Sequence, residues 1–223
     1  MIKKTLTNSI YIVYCVSFYI LWTAREILLR PILENAFGDR ANALIGTAIK
    51  LLIWTVPAII LIKCYEDDMY ISLKQMVSAK VKWPKYLLIL AGFFIYHLII
   101  AAFSFGKIRL HSGFERSSLI GTVLFVGITE ETVFRGWLLN ATLKKMKPWP
   151  AVLLNASLFL VIHFPIWIYK GLFADPATIP MNCVGVFLLG IVFGRTFIKS
   201  KNILTPIMLH MGWNLFNILL FGS

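Results

Sequence analysis

Two adjacent glutamates stand in an apolar stretch of the chain that is long enough to cross a bilayer. Glu130 and Glu131 are followed by Arg135, inside a helix predicted over about 117–140. Each charged side chain at the centre of a membrane helix costs about 2.5–3.5 kcal/mol on insertion scales. Charges at such positions need partners or a function, so these three groups are the first candidates for chemistry.

The spacing of the three groups assigns them different tasks. Glu131 and Arg135 are four residues apart on one helix face, with the acid N-terminal to the base, which is the better order for an ion pair. Glu130 lies about 100° around the helix from Glu131 and has no obvious local partner. We therefore expect Glu131 to neutralise Arg135 and Glu130 to face a cavity, where a carboxylate could act as a general base.

Two later spans carry polar residues at comparable depth. His163 lies inside the fifth predicted span, and His210 and Asn214 share one face of the last span. At about 1.5 Å per residue, these groups and Glu130 lie roughly 10–20 Å from the same end of the bundle. The acid, the two imidazoles and the amide are therefore predicted to form one site rather than a scatter of polar residues.

The three groups of residues resemble the motifs of the CPBP (CAAX protease and bacteriocin-processing, or Abi) family. That family has Glu-Glu-x-x-x-Arg, Phe-x-x-x-His and His-x-x-x-Asn, in this order, on separate transmembrane helices. The corresponding residues here are Glu130-Glu131-x-x-x-Arg135, Phe159-x-x-x-His163 and His210-x-x-x-Asn214. The resemblance covers about residues 117–217 and implies an intramembrane endopeptidase.

The resemblance also implies a role for each motif residue. Glu130 would be the catalytic glutamate that activates water, with His163 as its partner. His210 and Asn214 would stabilise the oxyanion, and the neighbouring acid and arginine would support the site. Peptide hydrolysis needs a base for water and donors for the developing oxyanion, which these residue types provide.

A metal site is the alternative for the same residues. Glu130, His163 and His210 could bind Zn²⁺ with one open position, as in a metalloprotease. The chain has no His-Glu-x-x-His, and an Asn in the set suits oxyanion donation better than zinc. We therefore favour glutamate catalysis without a required cofactor, and keep zinc as the alternative.

The composition is that of a membrane protein. The chain has 223 residues, of which 59% are hydrophobic and 14% charged, and its mean hydropathy is +0.79. Soluble domains average about 45–50% apolar and about 25% charged residues. We predict one all-α polytopic domain over residues 1–223 in contact with membrane lipid. The net charge of +12 fits basic loops at anionic lipid and not nucleic acid, because no basic amphipathic segment or binding motif accompanies it.

About seven spans are expected, with six to eight possible. The apolar start resembles a signal peptide, but it lacks a cleavage site and is predicted to remain as the first span. The distribution of lysine and arginine favours a cytoplasmic N-terminus in the cell membrane, and residues 66–82 are predicted to lie along the cytoplasmic interface. The predicted spans are 9–29, 41–63, 85–106, 117–140, 150–169, 180–198 and 203–221.

The function predicted from these features is hydrolysis of a peptide or membrane-anchored protein. We expect a polar cavity among the fourth, fifth and seventh spans that opens towards the cytoplasmic leaflet. One alternative is a non-proteolytic protein of bacteriocin immunity, or a membrane scaffold, in which the motifs only hold the bundle together. Another is a small transporter with a proton relay, for which the sequence lacks clear inverted repeats or matching broken helices.

Overall fold

The computed structural model describes residues 5–111, 119–175 and 178–222, with the side chains of residues 38–43 and 120 excepted. The described residues form helices and turns and no strand, so the predicted all-α polytopic bundle is confirmed. Six described segments are long and apolar enough to cross a membrane. They are Asn8–Phe37, Leu44–Cys64, Trp83–Phe105, Pro148–Tyr169, Thr178–Ser200 and Leu204–Phe221.

The α-helices are separated by π-helical and 3₁₀ segments. The α-helices are α1 (Asn8–Ala24), α2 (Arg30–Lys50), α3 (Val56–Cys64), α4 (Leu73–Ser78), α5 (Trp83–Phe105), α6 (Val126–Glu131), α7 (Asn140–Thr142), α8 (Pro148–Val161), α9 (Phe164–Tyr169), α10 (Thr178–Ser200) and α11 (Leu204–Phe221). The π-helical segments are Arg25–Leu29, Leu51–Thr55, Leu119–Phe125 and Thr132–Leu139, and the 3₁₀ segments are Glu66–Asp68 and Leu172–Ala174.

A further long helix, called the central helix below, carries Glu130 and Glu131. It runs from Leu119 to Thr142 and consists of two π-helical segments together with the α-helices α6 and α7. Most of its second half is buried. Its three charged residues distinguish it from the six apolar segments, and its assignment as the fourth span stays a prediction. Residues 117 and 118 of the predicted fourth span lie outside the described residues.

The first two spans lie side by side although helical structure continues between them. The rings of Trp22 and Trp54 are 4.5 Å apart at an angle of 70°, which requires the chain to reverse direction between them. This pair packs against the central helix through Phe18, whose ring lies 6.0 Å from that of Phe134. The first and second spans therefore form one wall beside the adjacent glutamates.

Small residues allow close helix contacts on the opposite side of the central helix. A Cβ at Gly190 of α10 would lie 2.9 Å from both Cα and Cβ of Ala156 in α8. A side chain at residue 190 would not fit at this separation of the two helices. Close packing of small residues drives helix association in lipid, where apolar burial gives no advantage.

The segment between the second and third spans covers one end of the bundle. Asn140 holds it there, because its side chain accepts from the Ile71 amide at 2.9 Å and donates to the Ile71 carbonyl at 2.8 Å. Met69, Ile71 and Met76 are buried, and the short helix α4 begins with a capping box between Ser72 and Gln75. The amphipathic pattern of residues 66–82 thus corresponds to a segment that lies across the helix ends.

Candidate active site

Glu130 is buried near the middle of the central helix, with its two oxygens in different surroundings. Oε1 accepts a hydrogen bond from the Lys50 ammonium group at 3.1 Å. Oε2 is buried, has no hydrogen-bond partner among the described residues, and lies 3.9 Å from Nε2 of His210. One oxygen is therefore fixed by an ion pair, and the other is left for a group or molecule that enters the site.

Lys50 is the partner that the sequence did not identify for Glu130. It ends α2, and its ammonium nitrogen lies 4.9 Å from the ring centre of Trp22 and 4.8 Å from that of Trp54. Aromatic faces attract cations at such distances. The one sequence signal for Lys50 is that it falls within a predicted span, where a charge needs a partner.

Glu131 and Arg135 form the ion pair that their spacing predicts. The two side chains are fully buried, and Nη1 of Arg135 donates to Oε1 of Glu131 at 2.9 Å. Nη2 donates to the Gly190 carbonyl at 3.0 Å, while the guanidinium carbon lies 4.5 Å from the ring centre of Phe159. The arginine thus connects the central helix to α8 and α10.

His210 links the two glutamates. Its Nδ1 lies 2.8 Å from Oε1 of Glu131, an oxygen that also accepts from Arg135. An ionised carboxylate only accepts, so Nδ1 of His210 carries the proton and donates. In the neutral ring Nε2 is then an acceptor, and it points towards Glu130. The ring stacks on Phe193 at 5.0 Å and 19°, which fixes its plane.

His163 is oriented by a comparable bond. Its Nδ1 lies 2.8 Å from the Phe159 carbonyl oxygen; a carbonyl can only accept, so this nitrogen is the donor. Nε2 of the neutral ring is again an acceptor. The Phe159 ring lies 5.0 Å from the His163 ring and 5.9 Å from the His210 ring, so the motif phenylalanine separates and supports the two imidazoles.

Asn214 lies at the edge of this group. Its side-chain nitrogen donates to the Thr122 carbonyl at 3.1 Å, which leaves its second amide hydrogen available. Thr122 belongs to the wall of the same cavity as Glu130 and His163. The structure therefore brings Glu130, His163 and His210 together and attaches Asn214 to the neighbouring wall.

A polar cavity of about 330 Å³ reaches Glu130. Its walls come from the first, second, fourth and fifth spans, and not from the seventh as the sequence analysis predicted. His210 is not among the residues that line this cavity. The first two spans enter because the reversal between them places Trp22 and Lys50 against the central helix. The polar lining residues are Arg25, Glu26, Arg30, Thr47, Lys50, Thr122, Glu130 and His163.

The direction of the cavity also differs from the prediction. From Glu130 it extends along Gly121 and Ile166. The opposite end of the bundle holds the start of the described chain, where the Lys145 ammonium donates to the Leu6 carbonyl at 3.1 Å. A cytoplasmic N-terminus and a site that opens to the cytoplasm are therefore not compatible in this fold.

The residues of the site do not form a metal-binding cluster. Among the described residues, no three His, Cys, Asp or Glu side chains lie close enough to hold one metal ion. The choice between glutamate catalysis and zinc stays a prediction for a chelator experiment, and no step below depends on a metal.

Comparison with known proteins identifies the segment that contains the site. Residues 112–216 match the Rce1-like family, described as type II CAAX prenyl endopeptidases. The matched segment includes all three sequence motifs. No curated protein and no solved structure matches the chain. The match supports a CAAX-type intramembrane protease in general, and with the six apolar helices it supports a multi-pass membrane protein.

Proposed function

We propose that this chain, whose resemblance to the CPBP family is confirmed over residues 112–216, is an intramembrane endopeptidase that uses Glu130 to activate water. The observation that carries the proposal is the position of Glu130. Its Oε2 atom is buried without a hydrogen-bond partner among the described residues, beside a polar cavity that His163 also lines. The substrate is a peptide or a membrane-anchored protein.

In the proposed reaction, water enters the cavity and donates a hydrogen bond to Oε2 of Glu130. The carboxylate takes the proton as the water oxygen attacks the carbonyl carbon of the scissile peptide bond. When the C–N bond breaks, the same proton passes to the leaving amine. His163 presents the Nε2 lone pair to the cavity, and it orients the second hydrogen of the water.

Two groups are proposed to stabilise the oxyanion. The second amide hydrogen of Asn214 is one donor. His210 becomes a donor at Nε2 only when its ring carries two protons, because Nδ1 already donates to Glu131. Donors held in place before the reaction are the main source of oxyanion stabilisation in enzymes.

The test is cleavage of a peptide panel by the purified protein in detergent. The panel contains prenylated CAAX peptides, bacteriocin leader peptides and signalling pro-peptides. Wild type is compared with Glu130→Gln, which keeps the shape of the side chain and an oxygen that can accept from Lys50. Glu130→Ala is less informative, since it leaves a buried lysine without its carboxylate and destabilises the fold.

Cleavage by wild type that is lost in a folded Glu130→Gln protein is the expected result. Equal cleavage by both proteins would overturn the proposal. The rival function is non-proteolytic immunity or a scaffold role. Under this rival, Glu130→Gln keeps the immunity or scaffold phenotype. Folded wild type then cleaves none of the peptides.

A further inference from the structure

Lys50 forms an ammonium site inside the membrane-spanning part of the protein. Its side chain is 17% exposed and that of Glu130 is 7% exposed, so water screens the pair little. The ammonium nitrogen lies 4.9 Å from the ring centre of Trp22 and 4.8 Å from that of Trp54, and both indoles are buried. The lysine is therefore held at one place and does not extend to the lipid surface.

The other charged groups around Glu130 largely compensate one another. Glu131 and Arg135 are bonded to each other on the same helix, and Arg25 and Glu26 are bonded to each other farther along the cavity wall. His163 and His210 face Glu130 from other elements, and no hydrogen bond joins either ring to Oε2 of Glu130. Lys50 is thus the cation that balances the charge of Glu130.

The bond to Lys50 also determines how Glu130 is presented. Because Oε1 accepts from the lysine at 3.1 Å, this oxygen is held towards Lys50, and Oε2 lies 3.9 Å from Nε2 of His210. A general base must be ionised and aligned with the proton that it accepts. In an apolar interior, an isolated carboxyl group remains protonated and cannot do this.

We propose that Lys50 is a positioning residue for the reaction: it keeps Glu130 ionised and turns Oε2 towards the attacking water. The inference rests on the proposed function, because it assigns Glu130 as the base. The lysine acts through Glu130 and does not touch the substrate. The Trp22 and Trp54 rings hold it in place.

The first experiment measures the ionisation of Glu130 without reference to activity. Dicyclohexylcarbodiimide labels protonated carboxyl groups, and labelling of Glu130 is followed by mass spectrometry as a function of pH. In Lys50→Met the midpoint of labelling should move to higher pH by about 1–3 pH units, the range expected when an adjacent opposite charge is removed. Lys50→Arg should keep the wild-type midpoint, and Glu130→Gln shows which label belongs to this residue.

The second experiment measures the pH dependence of peptide cleavage. The acidic limb of kcat/KM in Lys50→Met should move in the same direction, with kcat reduced more than KM is raised, and Lys50→Arg should restore most of the rate. Lys85→Met is the matched control, since Lys85 lies on the Tyr86 ring at 4.7 Å outside the cavity. Lys50→Gln replaces Lys50→Met if the latter does not fold.

The outcomes separate this inference from the proposed function. An unchanged labelling midpoint in Lys50→Met would overturn the role of Lys50, whatever the activity. A shifted midpoint without Glu130-dependent cleavage in any protein would overturn the proposed function and leave the ion pair as an electrostatic fact. Loss of cleavage in Lys50→Arg equal to that in Lys50→Met would also count against a role through charge.

Discussion

The Glu131 carboxylate accepts a hydrogen bond from Nδ1 of His210 at 2.8 Å, across 79 residues of chain. The same oxygen accepts from Arg135 at 2.9 Å. This arrangement fixes the tautomer of the imidazole and directs its other nitrogen towards Glu130. Glu131 thus orients the imidazole through Nδ1. Glu130, the proposed base, lies near the other ring nitrogen.

Replacement of His210 by phenylalanine should separate chemistry from packing. The ring can still stack on Phe193, so we expect a stability loss of only about 1–3 kcal/mol for the missing hydrogen bond. Cleavage should fall by about 10²–10³, the usual cost of removing one oxyanion donor. The matched control is His97→Phe, because His97 donates to the Phe93 carbonyl and packs on Trp213 away from the cavity. Equal loss of cleavage in both variants would contradict the assignment.

Arg135→Met should destabilise the bundle more than any exposed charge replacement. It leaves the Glu131 carboxylate buried without its cation and removes the bond to the Gly190 carbonyl. Removal of one partner of a buried pair costs about 3–5 kcal/mol, measurable by denaturant unfolding in detergent. Arg195→Met, which loses a contact with the Trp149 ring, should cost at most about 1 kcal/mol. Similar losses in the two variants would show that the buried pair contributes little.

Gly190→Ala should weaken the contact between α8 and α10. The new methyl group would lie 2.9 Å from two atoms of Ala156, and overpacking of this kind costs about 1–3 kcal/mol. The helices would separate, and the carbonyl that binds Arg135 would move with them. Gly185→Ala on the same helix meets no atom within 4 Å and should be neutral or stabilising by up to about 1 kcal/mol. Thermal unfolding of the two variants checks the difference.

Chelation of metals should leave cleavage unchanged. The proposed reaction needs only protein groups, and the described residues offer no cluster for a metal ion. The measurement is cleavage of the best panel peptide before and after treatment with a strong zinc chelator. Loss of activity that returns with added Zn²⁺ would contradict glutamate catalysis and would move Glu130, His163 and His210 into a metal site.

The two ends of the bundle should react with a membrane-impermeant maleimide from opposite sides. Cys64 is exposed near the segment that covers one end, and Lys170→Cys would mark the other, towards which the cavity extends. With Cys15 and Cys183 replaced by alanine, labelling of intact cells should modify only one of the two thiols. We expect Cys64 to be protected, as the proposed cytoplasmic N-terminus requires. Protection of the other thiol would reverse the orientation and open the site to the cytoplasm.

Some features follow from the sequence because they depend on local properties. Hydropathy over about 20 residues determines which segments can span a membrane, so the all-α class and the positions of the spans were predictable. Helix periodicity places residues i and i+4 on one face, and the pair of Glu131 with Arg135 is present as expected. The three short motifs, in order, predicted a resemblance that the match of residues 112–216 to the Rce1-like family supports.

Other features depend on contacts between distant parts of the chain, and only the tertiary structure decided them. The reversal between Trp22 and Trp54 places Lys50 beside Glu130 and lets the first two spans form the cavity wall, which no periodicity encodes. The bond from His210 to Glu131 joins two spans, and it makes Nε2 of the neutral ring an acceptor. The sequence determines which residues must enter the membrane, whereas helix packing determines which of their charges meet, because lipid offers buried polar groups no other partners.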